Sequence, residues 1–385
     1  MPELNSNLYT IFAVTLMGVI GVSILTPAFP QIGAALGIGR AEVAMLVTAF
    51  TLPGIFFAPL MGILADRYGR KKVLVPSLFL FSIAGTLCAF ADFKTMLLLR
   101  FIQGIGGSAL TALSATMIGD IYEGIERARI LGYNASVLTI GITAYQAIGG
   151  ILAYFDWRYP FLTFGIAIPV GIAAMLMPHP DVRSSTPISS YFRGMARVVS
   201  GRLLFEFASG AAVFIILYGA FLTFLPFLLK EKFMANSIMI SAVQASMSAF
   251  TAIFSYRLAH LVERFGSIGA IKAGFAAYCI SMLVIPFLPS YYLFFAAALL
   301  FGFAHGSVLP ALQNLVISTA PNEHRAAVMT AYGSTIRIGQ TTGPLVFGLL
   351  SLNAVFVVAA LIAFSFFLAY NFIDKKFQKG FIQAS

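Results

Sequence analysis

Twelve apolar stretches of about 20 residues follow one another along the chain, each bounded by charges or by clusters of Pro, Gly and Asn. They lie at about 8–28, 43–63, 73–91, 95–118, 130–153 and 160–178, and again at about 201–228, 237–257, 268–288, 291–318, 326–350 and 353–373. About 20 apolar residues wound as a helix cover the roughly 30 Å of bilayer hydrocarbon, so each stretch predicts one crossing. The expected fold is an all-α integral membrane protein with twelve transmembrane helices. With 59% hydrophobic and only 10% charged residues among 385, no large soluble enzyme domain can be built from what remains. The first stretch has no Lys or Arg before it and no small-residue cleavage site, so it is expected to be a retained helix rather than a removed leader.

The net charge of +10 would point a soluble domain toward nucleic acid, but here the placement of the charges carries the information. Arg67, Arg70, Lys71, Lys72, Arg127, Arg129, Arg183, Arg193, Arg197, Arg202, Arg257, Arg264, Lys272, Arg325, Lys375, Lys376 and Lys379 fall on one side of the predicted spans. The other side has only Arg40, Lys94, Arg158, Lys230 and Lys232. The positive-inside rule therefore predicts that both termini are cytoplasmic, with the lipid bilayer and not nucleic acid as the large-scale partner. Cys88 and Cys279 both sit in apolar runs, which gives no disulfide framework, no metal-ligand spacing and no cofactor.

The longest polar interval, Pro178 to Arg202, divides the spans six and six. The domain reading is a six-helix bundle over 1–178, a cytoplasmic linker over 179–200 with a possible amphipathic helix at Ile188–Val199, and a second six-helix bundle over 201–385. A shift of about 197 residues lays Leu64-Ala65-Asp66-Arg67-Tyr68-Gly69 on Leu261-Val262-Glu263-Arg264-Phe265-Gly266, Gly104 on Gly302, Arg127 on Arg325 and Gly141 on Gly339. Such an offset predicts two pseudo-symmetric bundles, an architecture that places a substrate near the membrane midplane and exposes it to each side in turn.

Three motifs sharpen this. After the second span stands Gly62-Ile63-Leu64-Ala65-Asp66-Arg67-Tyr68-Gly69-Arg70-Lys71-Lys72, where Gly62 permits close helix approach, Gly69 a tight turn, and Asp66 an ion pair or a helix cap. The fourth span holds Arg100-Phe101-Ile102-Gln103-Gly104-Ile105-Gly106-Gly107, whose glycines read as helix-packing positions because no strand precedes them. The fifth carries Gly132, Gly141, Tyr145, Gln146, Gly149 and Gly150. Together these resemble the signature loop, the fourth-span motif and the antiporter motif of the major facilitator superfamily, in particular its drug:proton antiporter branch. One departure stands out: Tyr145-Gln146 replaces the Gly-Pro pair of the antiporter motif, and a Gly-Pro occurs instead as Gly343-Pro344 in the second half. The resemblance implies that Gly62, Asp66, Arg67, Gly69 and Arg70 form a cytoplasmic latch, and that Arg100 is linked to proton movement. A residue near the span end that snorkels to the interface is the competing reading of Arg100. Tyr145 either lines the substrate path or fills a kink.

Ionisable groups at membrane depth cost roughly 2.5–3.5 kcal/mol each, which makes them functional candidates. Arg337 shares a helical face with Thr330, Gly333, Ser334 and Thr341, a polar stripe suited to substrate contact; a structural ion pair is the alternative. His305 lies mid-span and is able to exchange a proton or contact substrate, or simply to hydrogen-bond a neighbour. Glu206 lies about 12 Å from the centre of the seventh span by helical rise, as a proton-coupling carboxyl or as a partner of Arg202. The family arrangement implies that His305, Arg337, Glu206 and Gln244 face one another across the second half, Gln244 also as a substrate contact. The first span offers Thr15, Ser23 and Thr26 but no acid, which favours neutral or anionic amphipathic substrates.

The expected function is secondary active transport by alternating access, with proton-coupled efflux of small amphipathic compounds or drugs by a monomer in a plasma membrane, the bacterial inner membrane. Protons and a small-molecule substrate are then its partners. The alternative is an uptake symporter or uniporter for a small polar or anionic solute, and a transport-inactive receptor is a third class. An enzyme is not expected, since no metal cluster, nucleophile elbow or Walker loop occurs.

Overall fold

The computed structural model describes residues 6–178, 200–321 and 325–382. Among these, eleven helices are long and apolar enough to cross a membrane: Asn7–Leu36, Arg40–Tyr68, Arg70–Phe90, Phe93–Ile121, Gly124–Phe155, Tyr159–Leu176, Gly201–Phe233, Ser237–Tyr256, Leu258–Phe287, Leu293–Thr319 and Leu352–Phe372. A further helix, Arg325–Phe347, occupies the place of the eleventh predicted stretch. Arg337 and its neighbouring Thr and Ser residues make it the least apolar of the twelve. These twelve are numbered here as spans 1 to 12 in chain order. The linker and its predicted helix at Ile188–Val199 lie outside the described residues.

Most spans run several residues beyond the apolar core read from sequence, because their charged ends continue the helix into the interface. Proline and glycine mark the breaks. Span 1 passes through a 3₁₀ turn at Thr26–Ala28, where Pro27 brings no amide hydrogen to the helical ladder. Span 4 is interrupted between Gly107 and Leu110. Span 7 contains a π-helical stretch, Ile215–Phe224, in which Thr223 Oγ1 donates to the Tyr218 carbonyl five residues back at 2.6 Å.

The described residues fall into two compact units, one formed by the chain up to Pro178 with Ala235–Ala245, the other by the remainder. Within the first, span 3 packs on spans 4 and 6, and span 1 on spans 4 and 5. Within the second, span 9 packs on spans 10 and 12, and span 7 on spans 10 and 11. The same pairings recur, as the internal repeat requires. Glycine pairs at the repeat offset do matching work. Gly69 and Gly266 both take positive φ, 104° and 70°, the first where the chain turns between spans 2 and 3, the second at a kink inside span 9. A Cβ on Gly104 would collide with the Phe50 carbonyl of span 2, and one on Gly302 would lie 2.5 Å from Phe250 Cβ of span 8.

Candidate functional site

The loop after span 2 builds a charged node. Arg70, the first residue of span 3, pairs with Asp66 one helical turn earlier, and its Nε donates to Asp120 Oδ2 at 3.1 Å. Asp120 sits at the end of span 4, so one planar guanidinium ties three spans together through two carboxylates. Arg70 and Asp120 are well shielded, with side chains 10% and 12% exposed, whereas Asp66 is 40% exposed. Arg67 is exposed and lies over the ring of Tyr68, 5.7 Å from its centroid. Lys71 extends to the end of span 6, donating to the carbonyls of Met175 (2.8 Å) and Met177 (2.6 Å), where the helix dipole favours a cation. Gly62 departs from expectation: a Cβ there would meet nothing within 4 Å, so no close helix approach is made at that position.

Arg100 does not snorkel. It is 1% exposed and donates to the Gly21 carbonyl of span 1 (2.9 Å), the Leu46 carbonyl of span 2 (3.3 Å) and Gln103 Oε1 (2.7 Å), with its guanidinium 4.3 Å from the centroid of the Phe50 ring. The break in span 1 and the glycines of span 4 bring backbone carbonyls close enough for this to occur in the bundle interior.

Span 5 uses its glycines for approach. A Cβ on Gly149 would collide with the Ile24 carbonyl, one on Gly141 with Leu16, and one on Gly150 with Ser241. Gln146 is buried, and Tyr145 is half-buried. Gln244 belongs to this first unit and not, as expected, to a cluster of the second half. Its Oε1 accepts from Thr26 Oγ1 at 2.9 Å, because the start of span 8 packs on spans 1 and 5. A buried polar node that sequence reading missed joins spans 1, 4 and 5: Thr15 Oγ1 lies 2.8 Å from Ser114 Oγ and 2.6 Å from Asn134 Oδ1. Hydroxyl and amide side chains a hundred residues apart leave no local signal.

In the second unit the three ionisable candidates occupy separate places. Glu206 is 1% exposed; its Oε1 accepts from Arg202 Nε at 3.1 Å and from Thr319 Oγ1 of span 10 at 3.0 Å. Its Oε2 is buried without a hydrogen-bond partner. Leu203 of the same helix joins Val316, Ala320, Val328 and Tyr332 in a buried apolar cluster. The predicted Arg202 partnership is therefore made, within a buried rather than an interfacial carboxyl site. His305 is also buried, its Nδ1 2.6 Å from Tyr278 Oη of span 9, with Phe301 stacked on the ring and Phe214 of span 7 edge-on. Gly302 and Gly306 turn their side of span 10 toward span 8. Arg337 is half-buried on span 11, within electrostatic reach of Tyr218 in the π-helical stretch of span 7. Thr341 Oγ1 donates to the Arg337 carbonyl at 2.9 Å, so that hydroxyl is spent on its own helix. No cluster of three or more metal-ligating side chains occurs among the described residues.

Residues 11–233 and 207–384 match the model of the Major Facilitator Superfamily. The bacillibactin exporter of Bacillus subtilis (strain 168) is 26% identical over 392 residues, covering 96% of this chain and 97% of that protein. The class C tetracycline resistance protein of Escherichia coli is 25% identical over 366 residues, covering 89% of each. Among solved structures, a mutant of the nucleoside transporter NupG superposes with a TM-score of 0.81 at 15% identity, over 95% of this chain and 99% of that one. A bacterial homologue of the human lysosomal transporter Spinster does so with 0.81 at 17%, over 96% and 98%. These likenesses show the fold.

Proposed function

This chain belongs to the major facilitator superfamily of membrane transporters, and on that premise we propose that it exports small amphipathic organic compounds, driven by protons flowing inward. The observation that carries this reading is the end-to-end similarity to a bacterial exporter, covering 96% of this chain. Alternating access supplies the mechanism. The domains are the bundles 1–178 and 201–385 with the cytoplasmic linker 179–200, both termini are cytoplasmic, and the protein works as a monomer in the bacterial inner membrane.

In this scheme Asp66, Arg70 and Asp120 form the cytoplasmic gate, with Gly69 as its turn and with Gly62 and Arg67 joining only in another facing state. Arg337 attracts the anionic or polar end of the substrate. Glu206 takes the coupling proton: among the described residues it is the carboxyl held inside the second unit, with one oxygen accepting two hydrogen bonds and the other none. His305 is the weaker candidate, since Tyr278 and two aromatic rings already occupy its surroundings. Arg100 stabilises the first bundle so that span 4 can move as a unit with spans 1 and 2. Tyr145 and Gln244 contact substrate from the first unit.

The test is flux in proteoliposomes under an imposed pH gradient, with and without a protonophore, across a panel that includes bacillibactin and tetracycline. Outward transport that collapses with the protonophore supports the scheme. Inward, gradient-independent flux of a small polar solute would replace export with facilitated uptake.

A further inference from the structure

Among the described residues of the second unit, two buried oxygens have no hydrogen-bond partner, Glu206 Oε2 on span 7 and Tyr332 Oη on span 11, the latter at the apolar cluster of Leu203, Val316, Ala320 and Val328. Both side chains are 1% exposed. Gly210, one helical turn beyond Glu206, makes room for the phenol: a Cβ there would lie 2.6 Å from Tyr332 Cε2 and 2.9 Å from Tyr332 Oη. The ring of Phe207 lies 5.8 Å from that of Tyr332. The hydroxyl is therefore seated against the face of span 7 that carries the carboxyl, within its electrostatic reach. Burying a hydroxyl or a carboxyl oxygen unpaired costs roughly 1–3 kcal/mol each, and two such groups within electrostatic reach of one another are each other's candidate partners.

We propose that Tyr332 is the positioning residue for proton exchange at Glu206: its hydroxyl donates to Oε2 while the carboxyl is ionised and gives up that bond when a proton binds there. The step moves one proton, which binds Oε2 and neutralises the carboxylate, and its release restores the charge. Arg202 and Thr319 both donate to Oε1 and leave Oε2 as the exchange position. Among the described residues, Tyr370 of span 12 lies within electrostatic reach of Glu206 and donates to Ser209 Oγ at 3.0 Å, and Tyr278 of span 9 lies within reach of Tyr332 and is hydrogen-bonded to His305 Nδ1. Tyr332 lies on the helix that bears Arg337, so proton occupancy on span 7 is read by the span that carries the proposed substrate contact. The inference rests on the proton-coupled reading and names the residue through which the proton acts.

The experiment uses the full-length protein in lipid and follows protonation itself, so that no substrate need be known. A pH-induced infrared difference spectrum records the carbonyl stretch of the neutral carboxyl, assigned to Glu206 by its disappearance in Glu206→Gln. In Tyr332→Phe the ionised form loses a donor, so the proton binds more readily. The midpoint of that band should move to higher pH by about one unit, a tenfold gain in proton affinity, with thermal stability held. An assigned band whose midpoint is unchanged in Tyr332→Phe overturns the role of the phenol and leaves the coupling reading intact. If Glu206→Gln removes no band at any pH, Glu206 takes up no proton and both fall.

Discussion

Arg70 Nε lies 3.1 Å from Asp120 Oδ2, joining the start of span 3 to the end of span 4 across fifty residues of sequence, in a pair whose members are only 10% and 12% exposed. The second partner of this arginine, Asp66, is 40% exposed and its attraction is correspondingly screened.

The inequality orders two substitutions. Asp120→Asn should slow transport about tenfold or more, the scale of a pair worth about 1.4 kcal/mol, while Asp66→Asn should slow it less; neither should change substrate affinity. Initial rates and equilibrium binding on the same preparations check this, and a larger defect for Asp66→Asn would reverse the assignment of the stronger link.

Glycines of the two motifs should separate by stability. Gly104→Leu forces a side chain into the Phe50 carbonyl and should cost about 1–3 kcal/mol or prevent assembly. Gly62→Ala enters open space on a helix and should fold at least as well as wild type, gaining up to about 1 kcal/mol of helix propensity. Thermal denaturation in detergent measures both.

Arg100→Lys is not a conservative change. A lysine can reach one of the three acceptors now shared among Gly21, Leu46 and Gln103, leaving buried carbonyls unpaired at about 1–3 kcal/mol each. We expect a lowered melting temperature together with lost transport; full stability with lost transport would instead assign Arg100 to the proton path directly.

Arg337→Ala should abolish binding of an anionic substrate and spare a neutral one, and Arg337→Lys should restore part of the loss. Fluorescence or calorimetric titration with charged and neutral members of one compound series decides it.

Much of the fold was legible because a span needs only length and apolarity, and the repeat offset located glycines whose backbone geometry then matched, Gly69 with Gly266. Span ends were less so, since the hydrophobic signal fades before the helix does. Among site residues, sequence singled out Asp66, Arg70, Arg100 and Glu206 by type and depth, but not their partners. Asp120, Thr319, Tyr332 and Tyr278 are ordinary residues made significant by a neighbour on another helix. Gln244 was misplaced for the same reason: its span number suggested the second half, while Thr26 holds it in the first unit. Facing direction depends on which helix packs where, and no local pattern encodes that.

The π-helical stretch Ile215–Phe224 gives span 7 one more property. A wider turn of this kind is what a helix becomes when a single residue is inserted and both flanks keep their bearings. Before it, the chain answers to Glu206 and its guanidinium and hydroxyl partners; after it, to Lys232, which donates to the carbonyls of Pro286 and Leu288 at 2.7 and 3.0 Å. Changes that re-aim one end need not be compensated at the other, so the half that bears Glu206 can be reoriented while the half that bears Lys232 keeps its anchor.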